Sequence, residues 1–243
     1  VSAGGEDFNS QVDIASPMQS VTLTLLIPSI FSVTITGASA VTVIQGQEVA
    51  LEGIVVGDFQ NNTSVDNGNL NGFHVQDPTG DGDPLTSDGI FIYYPSGTVD
   101  VLVGDEVRVR GSVSEYNGMT EVTVKQIWVC STGNSVAATP ISLPVTSVDD
   151  FEAYEGMLVT FPQSLVISEY FNYDRYGHIV LTNGRFMNFT AVNEPDVTNF
   201  AADTLNFKNN SIKLDDGLSS QNPAALRHPD GTTFTKDHYF RGG

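Results

Sequence analysis

The first clear pattern of apolar and polar positions is a strict alternation near the N-terminus. Its apolar members, which alternate with threonine and serine, are Val21, Leu23, Leu25, Val33 and Ile35. This period of two predicts two strands, interrupted at Pro28 and ended at Gly37. We therefore expect residues 1–46 to form an N-terminal strand segment. Two readings stay open: a first sheet that packs on the rest of its domain, or strands that join another subunit by strand addition.

Residues 47–130 carry five further runs with strand character. In chain order they read EVALEGIVVGDF, NGFHVQD, GIFIYY, DEVRVRGSVSEY and TEVTVKQIWV. The dipeptides Gly104-Asp105 and Asn117-Gly118 are turn signals that separate the last three runs. Five strands of this length fit the OB architecture, a partly open Greek-key barrel. We predict an OB-like barrel over residues 47–130, followed by a linker over 131–140.

A second β unit is expected over residues 141–243. The stretch EGMLVTFPQSLVISEYF echoes EGIVVGDF of the first barrel, which suggests a degenerate repeat, and YGHIVLTNGRFMNF supplies a hairpin. Residues 192–210 are polar and are predicted to be irregular. Because helical periodicity is nearly absent along the chain, the fold class is predicted to be all-β.

The charge balance limits the classes of partner. Only 10 Lys and Arg oppose 29 Asp and Glu, which gives a net charge of −19. Such a chain is a poor candidate for neutralising a phosphate backbone, and the polar, acidic composition favours a secreted, extracellular or cell-surface location. No apolar run approaches the length that spans a bilayer. The single cysteine, Cys130, lies in a strand run and is expected to be buried as a small hydrophobic residue.

The densest group of candidate ligands lies between the second and third barrel strands. This segment of Asp, Gly, Pro, Thr and Ser contains four carboxylates and no cation, namely Asp77, Asp81, Asp83 and Asp88. Oxygen ligands on a glycine-rich loop suit a hard cation, so calcium is the candidate cofactor. The spacing is not that of an EF-hand, and the same residues also form ordinary solvated turns.

The stretches FHVQDPTGDGDPLTSDGIFIYY, VGDEVRVRGSVSEYNGMTEV and EGMLVTFPQSLVISEYFNYDRYGHIVLTNGR, together with LDDG at Leu214–Gly217, carry a family resemblance. They resemble the OB-fold region of large secreted bacterial nucleases, which precedes an endonuclease/exonuclease/phosphatase-type catalytic domain. The resemblance covers roughly residues 47–243 and does not extend to the first 45 or so. It implies an accessory β module rather than the catalytic domain itself.

Catalytic residues are not predicted in this chain. The GDFN-like and SDH-like loops that the nuclease resemblance implies for the catalytic domain do not occur, and no Ser lies in a G-x-S-x-G setting. The four histidines, His74, His178, His228 and His238, lack the close spacing of a zinc pair. His228 and His238 flank Asp230 and Asp237 near the C-terminus, a pattern that supports a metal only weakly. We expect a non-enzymatic chain.

Two functions of different classes remain after these exclusions. The first is a structural module that self-associates, or binds a partner protein, through its N-terminal strands and builds a surface polymer or fibre. The alternative is an accessory domain that presents substrate or DNA to an extracellular nuclease. Direct nucleic-acid binding has weak support, because aromatic residues are available for stacking but a positive groove is missing. A candidate ligand or partner surface is formed by the aromatic cluster Tyr170, Phe171, Tyr173 and Tyr176.

Overall fold

The computed structural model describes the backbone of residues 20–27, 29–36, 45–60 and 68–242, with side chains in the last two ranges. Strands make up 37% of the structure and helices 15%, which confirms that the chain is mostly β. The described residues fall into two compact units. Unit 1 holds those up to 66 with 71–139 and 151–158, and unit 2 holds those within 67–70 with 140–150 and 159–243. The strands are β1 (Ser20–Ile27), β2 (Ser29–Thr36), β3 (Glu48–Gln60), β4 (Asn69–Gln76), β5 (Thr86–Ser87), β6 (Gly89–Tyr93), β7 (Glu106–Tyr116), β8 (Met119–Ser131), β9 (Thr139–Pro140), β10 (Val159–Thr160), β11 (Val166–Glu169), β12 (Ile179–Thr182) and β13 (Ser211–Leu214).

The N-terminal strands β1 and β2 pair with each other as an antiparallel hairpin, from Ser20↔Thr36 to Ile27↔Ser29. Strand β1 also pairs in parallel with β5 through Ser20 and Val21. Within the described residues the sheet order is β2-β1-β5, so β2 lies at an edge of this sheet. The two predicted strands are confirmed. Their side chains, including those proposed to contact a partner (Val21, Leu23, Leu25, Val33 and Ile35), lie outside the described residues, and that role stays a prediction.

Five strands of unit 1 close a barrel in the order β3-β4-β6-β8-β7. The pairs β3·β7, β4·β6 and β7·β8 are antiparallel, whereas β6·β8 is parallel. Alternation along β7 shows why the sequence pattern succeeded: Val107 and Val109 are fully buried, whereas Arg108 and Arg110 point to solvent. The predicted barrel strands are thus confirmed.

The barrel interior is a continuous apolar core. Its largest fully buried side chain is Phe73, and Ile92 and Val122 are also completely buried. Gly111 shows how tightly the wall packs, because a Cβ there would lie 2.3 Å from the carbonyl oxygen of Thr123. The β7–β8 register shifts at this glycine, so the chain can bend where a side chain would collide.

Unit 2 differs from the repeat that the sequence suggested. It contains the antiparallel three-stranded sheet β11-β12-β13 and the helices α1 (Tyr173–Tyr176), α2 (Phe189–Val192) and α3 (Val197–Asn209). The prediction that residues 192–210 are irregular is therefore wrong. Helix α3 begins where the Asp196 side chain accepts a hydrogen bond from the Asn199 N–H at 2.8 Å, a standard N-cap.

The end of β8 corrects the expectation for the cysteine. Cys130 is exposed, not buried, because the last four residues of β8 are all exposed. The strand also reaches Ser131, the first residue of the predicted linker.

Candidate functional site

The acidic loop between β4 and β6 is held by its own carboxylates. Its base is closed by a hydrogen bond from the Asp77 N–H to the Asp88 carbonyl oxygen at 2.9 Å. Asp77 Oδ1 accepts bonds from both the N–H and the hydroxyl of Thr79, each at 2.8 Å. These are the local side-chain-to-backbone bonds of an Asx turn, so Asp77 already has a structural role.

The middle of the loop repeats this arrangement. Asp81 Oδ1 accepts a bond from the Asp83 N–H at 2.8 Å, and both Asp81 oxygens lie 2.9 Å from the Thr86 hydroxyl. Asp83 Oδ1 in turn accepts the Leu85 N–H at 2.9 Å. Hydrogen bonds within the loop therefore hold its shape. This agrees with the interpretation of these residues as ordinary solvated turns.

Electrostatic crowding in this loop favours a cation nonetheless. Burial, followed by the negative charges of Asp81 and Asp77, raises the pKa of the Asp88 carboxyl above its usual range, although the Asp81 N–H opposes the shift. In the part of the chain that the structure describes, three ligand atoms lie within 4.8 Å of one another only at His228, Asp230 and His238. The four loop aspartates are thus close neighbours without a converged ligand set, and calcium binding stays a prediction.

The barrel's cations are all paired with glutamates of β3. Arg108 contacts Glu52, Arg110 contacts Glu48, and Lys125 Nζ lies 2.9 Å from Glu48 Oε2. The hydrogen bond from Lys125 is the main reason why the pKa of Glu48 is lowered. These three are the only Lys and Arg residues among positions 1–174 of the sequence. Their positive charge is therefore matched locally and does not form a groove for phosphates.

Two titratable side chains of unit 1 are shifted by burial. His74 packs between the rings of Phe59 and Phe91, and burial lowers its pKa to about 4, so the imidazole stays neutral. Burial, together with the charges of Glu152 and Glu115, raises the pKa of Glu155 to about 7. Among the described residues, neither group belongs to a cluster of converging metal ligands, and we assign both to the packing of unit 1.

The aromatic cluster proposed as a ligand surface is split by the structure. Tyr170 and Phe171 are exposed, whereas Tyr173 is buried, packs edge-to-face on Phe240 and donates a hydrogen bond to the Arg227 carbonyl oxygen at 2.9 Å. Tyr173 is therefore a core residue of unit 2, which corrects its assignment to a surface. Tyr176 stacks on His178 with ring centroids 5.9 Å apart.

A cavity of about 130 Å³ in unit 2 is lined by the acidic pair of the LDDG segment, Asp215 and Asp216. Asp216 is buried, and its Oδ2 has no hydrogen-bond partner within the described structure. A Cβ at Gly177 would lie 1.9 Å from that oxygen, so a glycine is required beside it. Burial raises the pKa of Asp216, and the Arg227 charge partly opposes the shift.

The same cavity wall includes His228, which belongs to the one converged ligand cluster of the described residues. His228 Nδ1 lies 2.9 Å from Asp230 Oδ1, and His238 Nε2 lies 2.8 Å from Asp230 Oδ2. The two histidines are ten residues apart, so a search for closely spaced metal ligands in the sequence does not find this arrangement. A weak signal was available in the Pro229-Asp230-Gly231 turn between them.

The chain matches no family model and no curated protein. The nuclease resemblance read from the sequence is therefore neither supported nor refuted. Among the described residues, no helix has the length and apolar character needed to cross a membrane.

Proposed function

We propose that unit 1 is an OB-type barrel within a secreted, non-catalytic module, and that this module associates with further copies or with a partner protein through its N-terminal hairpin. The barrel order supports the first part. Strands β7, β3, β4 and β6 are the fourth, first, second and third barrel strands, which is the Greek-key arrangement, and β8 closes the barrel between β6 and β7.

The observation that carries the association is the edge position of β2. In an antiparallel hairpin, every second residue of an edge strand directs its N–H and C=O away from the neighbouring strand. Strand β2 spans eight residues, so it offers several such groups to an incoming strand. Addition of a strand to this edge supplies main-chain hydrogen bonds, and head-to-tail contacts that do not close into a ring build a filament.

Two neighbouring proline substitutions test the edge directly. Thr24 pairs with Ser32, and Leu23 pairs with Val33, so one of these pairs exchanges hydrogen bonds and the other does not. Of Ser32→Pro and Val33→Pro, one therefore removes only an outward donor, while the other breaks the hairpin. We expect light scattering to show that the wild-type chain assembles. The variant whose proline replaces an outward-facing N–H should be a monomer with an unchanged circular dichroism spectrum.

Either of two results contradicts the association proposal. One is a wild-type chain that is monomeric up to high micromolar concentration. The other is assembly that persists in both proline variants and in a chain that lacks residues 1–46.

The alternative, an accessory domain that presents DNA to a nuclease, is favoured only by the OB-type strand order. The pairing of Arg108, Arg110 and Lys125 with glutamates weighs against it, since OB barrels hold single strands in a positive groove. Anisotropy with a labelled single strand at low salt should show no saturable binding, and plasmid incubated with magnesium, manganese or calcium should stay intact. Submicromolar binding that salt weakens would favour the alternative instead.

A further inference from the structure

The cluster His228, Asp230 and His238 in unit 2 is the strongest feature that the proposed function does not use. Each residue places one ligand atom within 4.8 Å of the other two. The two imidazole rings face each other with centroids 4.1 Å apart, and Asp230 bonds one of them with each carboxylate oxygen. We propose that these three residues bind a divalent transition-metal ion of the zinc class.

The backbone around the cluster fixes the first two ligands. His228 N–H donates to the Thr232 carbonyl oxygen at 2.7 Å, and Gly231 N–H donates to the His228 carbonyl oxygen at 2.8 Å. The N–H and hydroxyl of Thr232 both donate to Asp230 Oδ1, at 2.9 and 2.7 Å. The carboxylate is thus oriented by Thr232 before any ligand arrives, which reduces the ordering cost of binding.

The third ligand is placed by a second turn. His238 N–H donates to the Thr235 carbonyl oxygen and hydroxyl at 3.2 and 3.0 Å, and Thr235 N–H donates back to the His238 carbonyl oxygen at 2.9 Å. This turn reverses the chain, so that His238 contacts Asp230, which lies eight residues earlier in the sequence. The ligand set therefore depends on two consecutive turns rather than on a helix or a strand.

The chemistry of His228 suits coordination through Nδ1. Nδ1 faces the Asp230 carboxylate, with Oδ1 2.9 Å away, and its contact with the Asp230 backbone nitrogen is 3.3 Å long. The contact with the backbone nitrogen is long, so a metal ion can replace it at little cost. The ring is largely buried, with 13% of the side chain exposed, and it packs edge-on against Phe240 at 5.8 Å.

The donor set selects the class of metal. Two imidazole nitrogens and one carboxylate oxygen suit zinc and its neighbours, whereas calcium requires six or more oxygens. Ligand atoms about 2.05 Å from a tetrahedral ion lie roughly 3.3 Å apart, so atoms that now lie within 4.8 Å of one another have to shift by at most about 1.5 Å. Asp230 and His238 are about half exposed, which leaves the remaining coordination position open to water or to a partner's donor.

Metal titration of the chelator-stripped chain tests the site. We use a Cys130→Ser background, because Cys130 is an exposed thiol that could bind zinc by itself. Calorimetry with zinc should show one ion per chain, and His238→Ala and Asp230→Asn should each weaken the affinity at least about tenfold. The matched control is Asp237→Asn, which removes a carboxylate from the same turn that pairs with Lys236 and not with the cluster.

Two outcomes overturn the proposal: no zinc uptake at 100 µM, a concentration about 100-fold above a micromolar dissociation constant, or equal uptake by the cluster variants and the parent. If circular dichroism shows that a variant does not fold, the magnetic resonance signals of the histidine rings in the parent chain test the site instead. Zinc should then shift the ring signals of His228 and His238 and leave those of His74 and His178 in place. Shifts confined to His74 or His178 would place the metal elsewhere.

Discussion

Glu155 is the carboxyl group whose ionisation should be most costly to unit 1. It lies in a partly buried position, where the Thr120 N–H bonds its carboxylate and the charges of Glu152 and Glu115 oppose its ionisation. Its pKa is raised from 4.5 to about 7, with burial as the largest cause. We predict that Glu155→Gln, which keeps the shape and removes the charge, stabilises unit 1 at alkaline pH.

The sign follows from the protons bound in each state. Between pH 4.5 and 7 the folded chain keeps a proton on Glu155 that the unfolded chain has lost, so stability falls as pH rises and levels off above pH 7. Raising the pKa of Glu155 from 4.5 to about 7 corresponds to roughly 3.4 kcal/mol as an upper limit. Because part of the side chain is exposed to screening by water, we expect roughly 1–3 kcal/mol in favour of the glutamine variant at pH 8 and none at pH 4.5.

Urea unfolding from pH 4.5 to 8 measures this difference. Trp128 is the only tryptophan and lies in β8, so its fluorescence reports the barrel. Asp100→Asn, which neutralises an exposed carboxylate of the same unit, is the control and should change the profile little. The reasoning is wrong if the gap between Glu155→Gln and the wild type does not grow with pH, or if the wild type is the more stable at pH 8.

Three further predictions concern the acidic loop, the barrel core and unit 2. Millimolar calcium should raise the melting temperature by mass action, and Asp81→Asn with Asp83→Asn should abolish the increment; an unchanged melting curve would leave the loop an ordinary turn. Phe73→Ala should cost about 3–5 kcal/mol in urea unfolding followed by Trp128, because it empties a fully buried site, and a loss below 1 kcal/mol would contradict the packing. Gly177→Ala should lower the thermal stability of unit 2, since its φ is +72° and the new methyl group meets Asp216; wild-type stability would contradict this.

The barrel was readable from sequence because its strands obey one simple rule. Alternate residues of β7 enter the core, so an apolar period of two marks both the strand and its buried face. Helix α3 was not predicted, because none of its residues is buried and its apolar residues, such as the exposed Val197 and Phe200, are mixed with Thr, Asn and Asp. The cap at Asp196, directly after Pro195, was the signal that could have revealed it.

The candidate sites divide along similar lines. The aspartates of the acidic loop lie close together in the sequence, so composition alone identifies them. Composition does not show whether they form turns or bind a cation. The cluster in unit 2 depends on how two turns fold back and bring His228 and His238 together, with Asp230 in contact with both rings. Cys130 was misjudged because strand alternation does not show where a strand leaves its core.

The ion pairs on the barrel have a consequence for the response to ionic strength. With Arg108, Arg110 and Lys125 each matched by a glutamate, unit 1 of another copy offers no unpaired Lys or Arg to the acidic excess of the chain. Copies that approach each other repel over a distance set by the Debye length, about 30 Å at 0.01 M salt and about 8 Å at 0.15 M. Added salt should therefore strengthen the association proposed for this chain, which is the reverse of the salt response of a protein that binds phosphates.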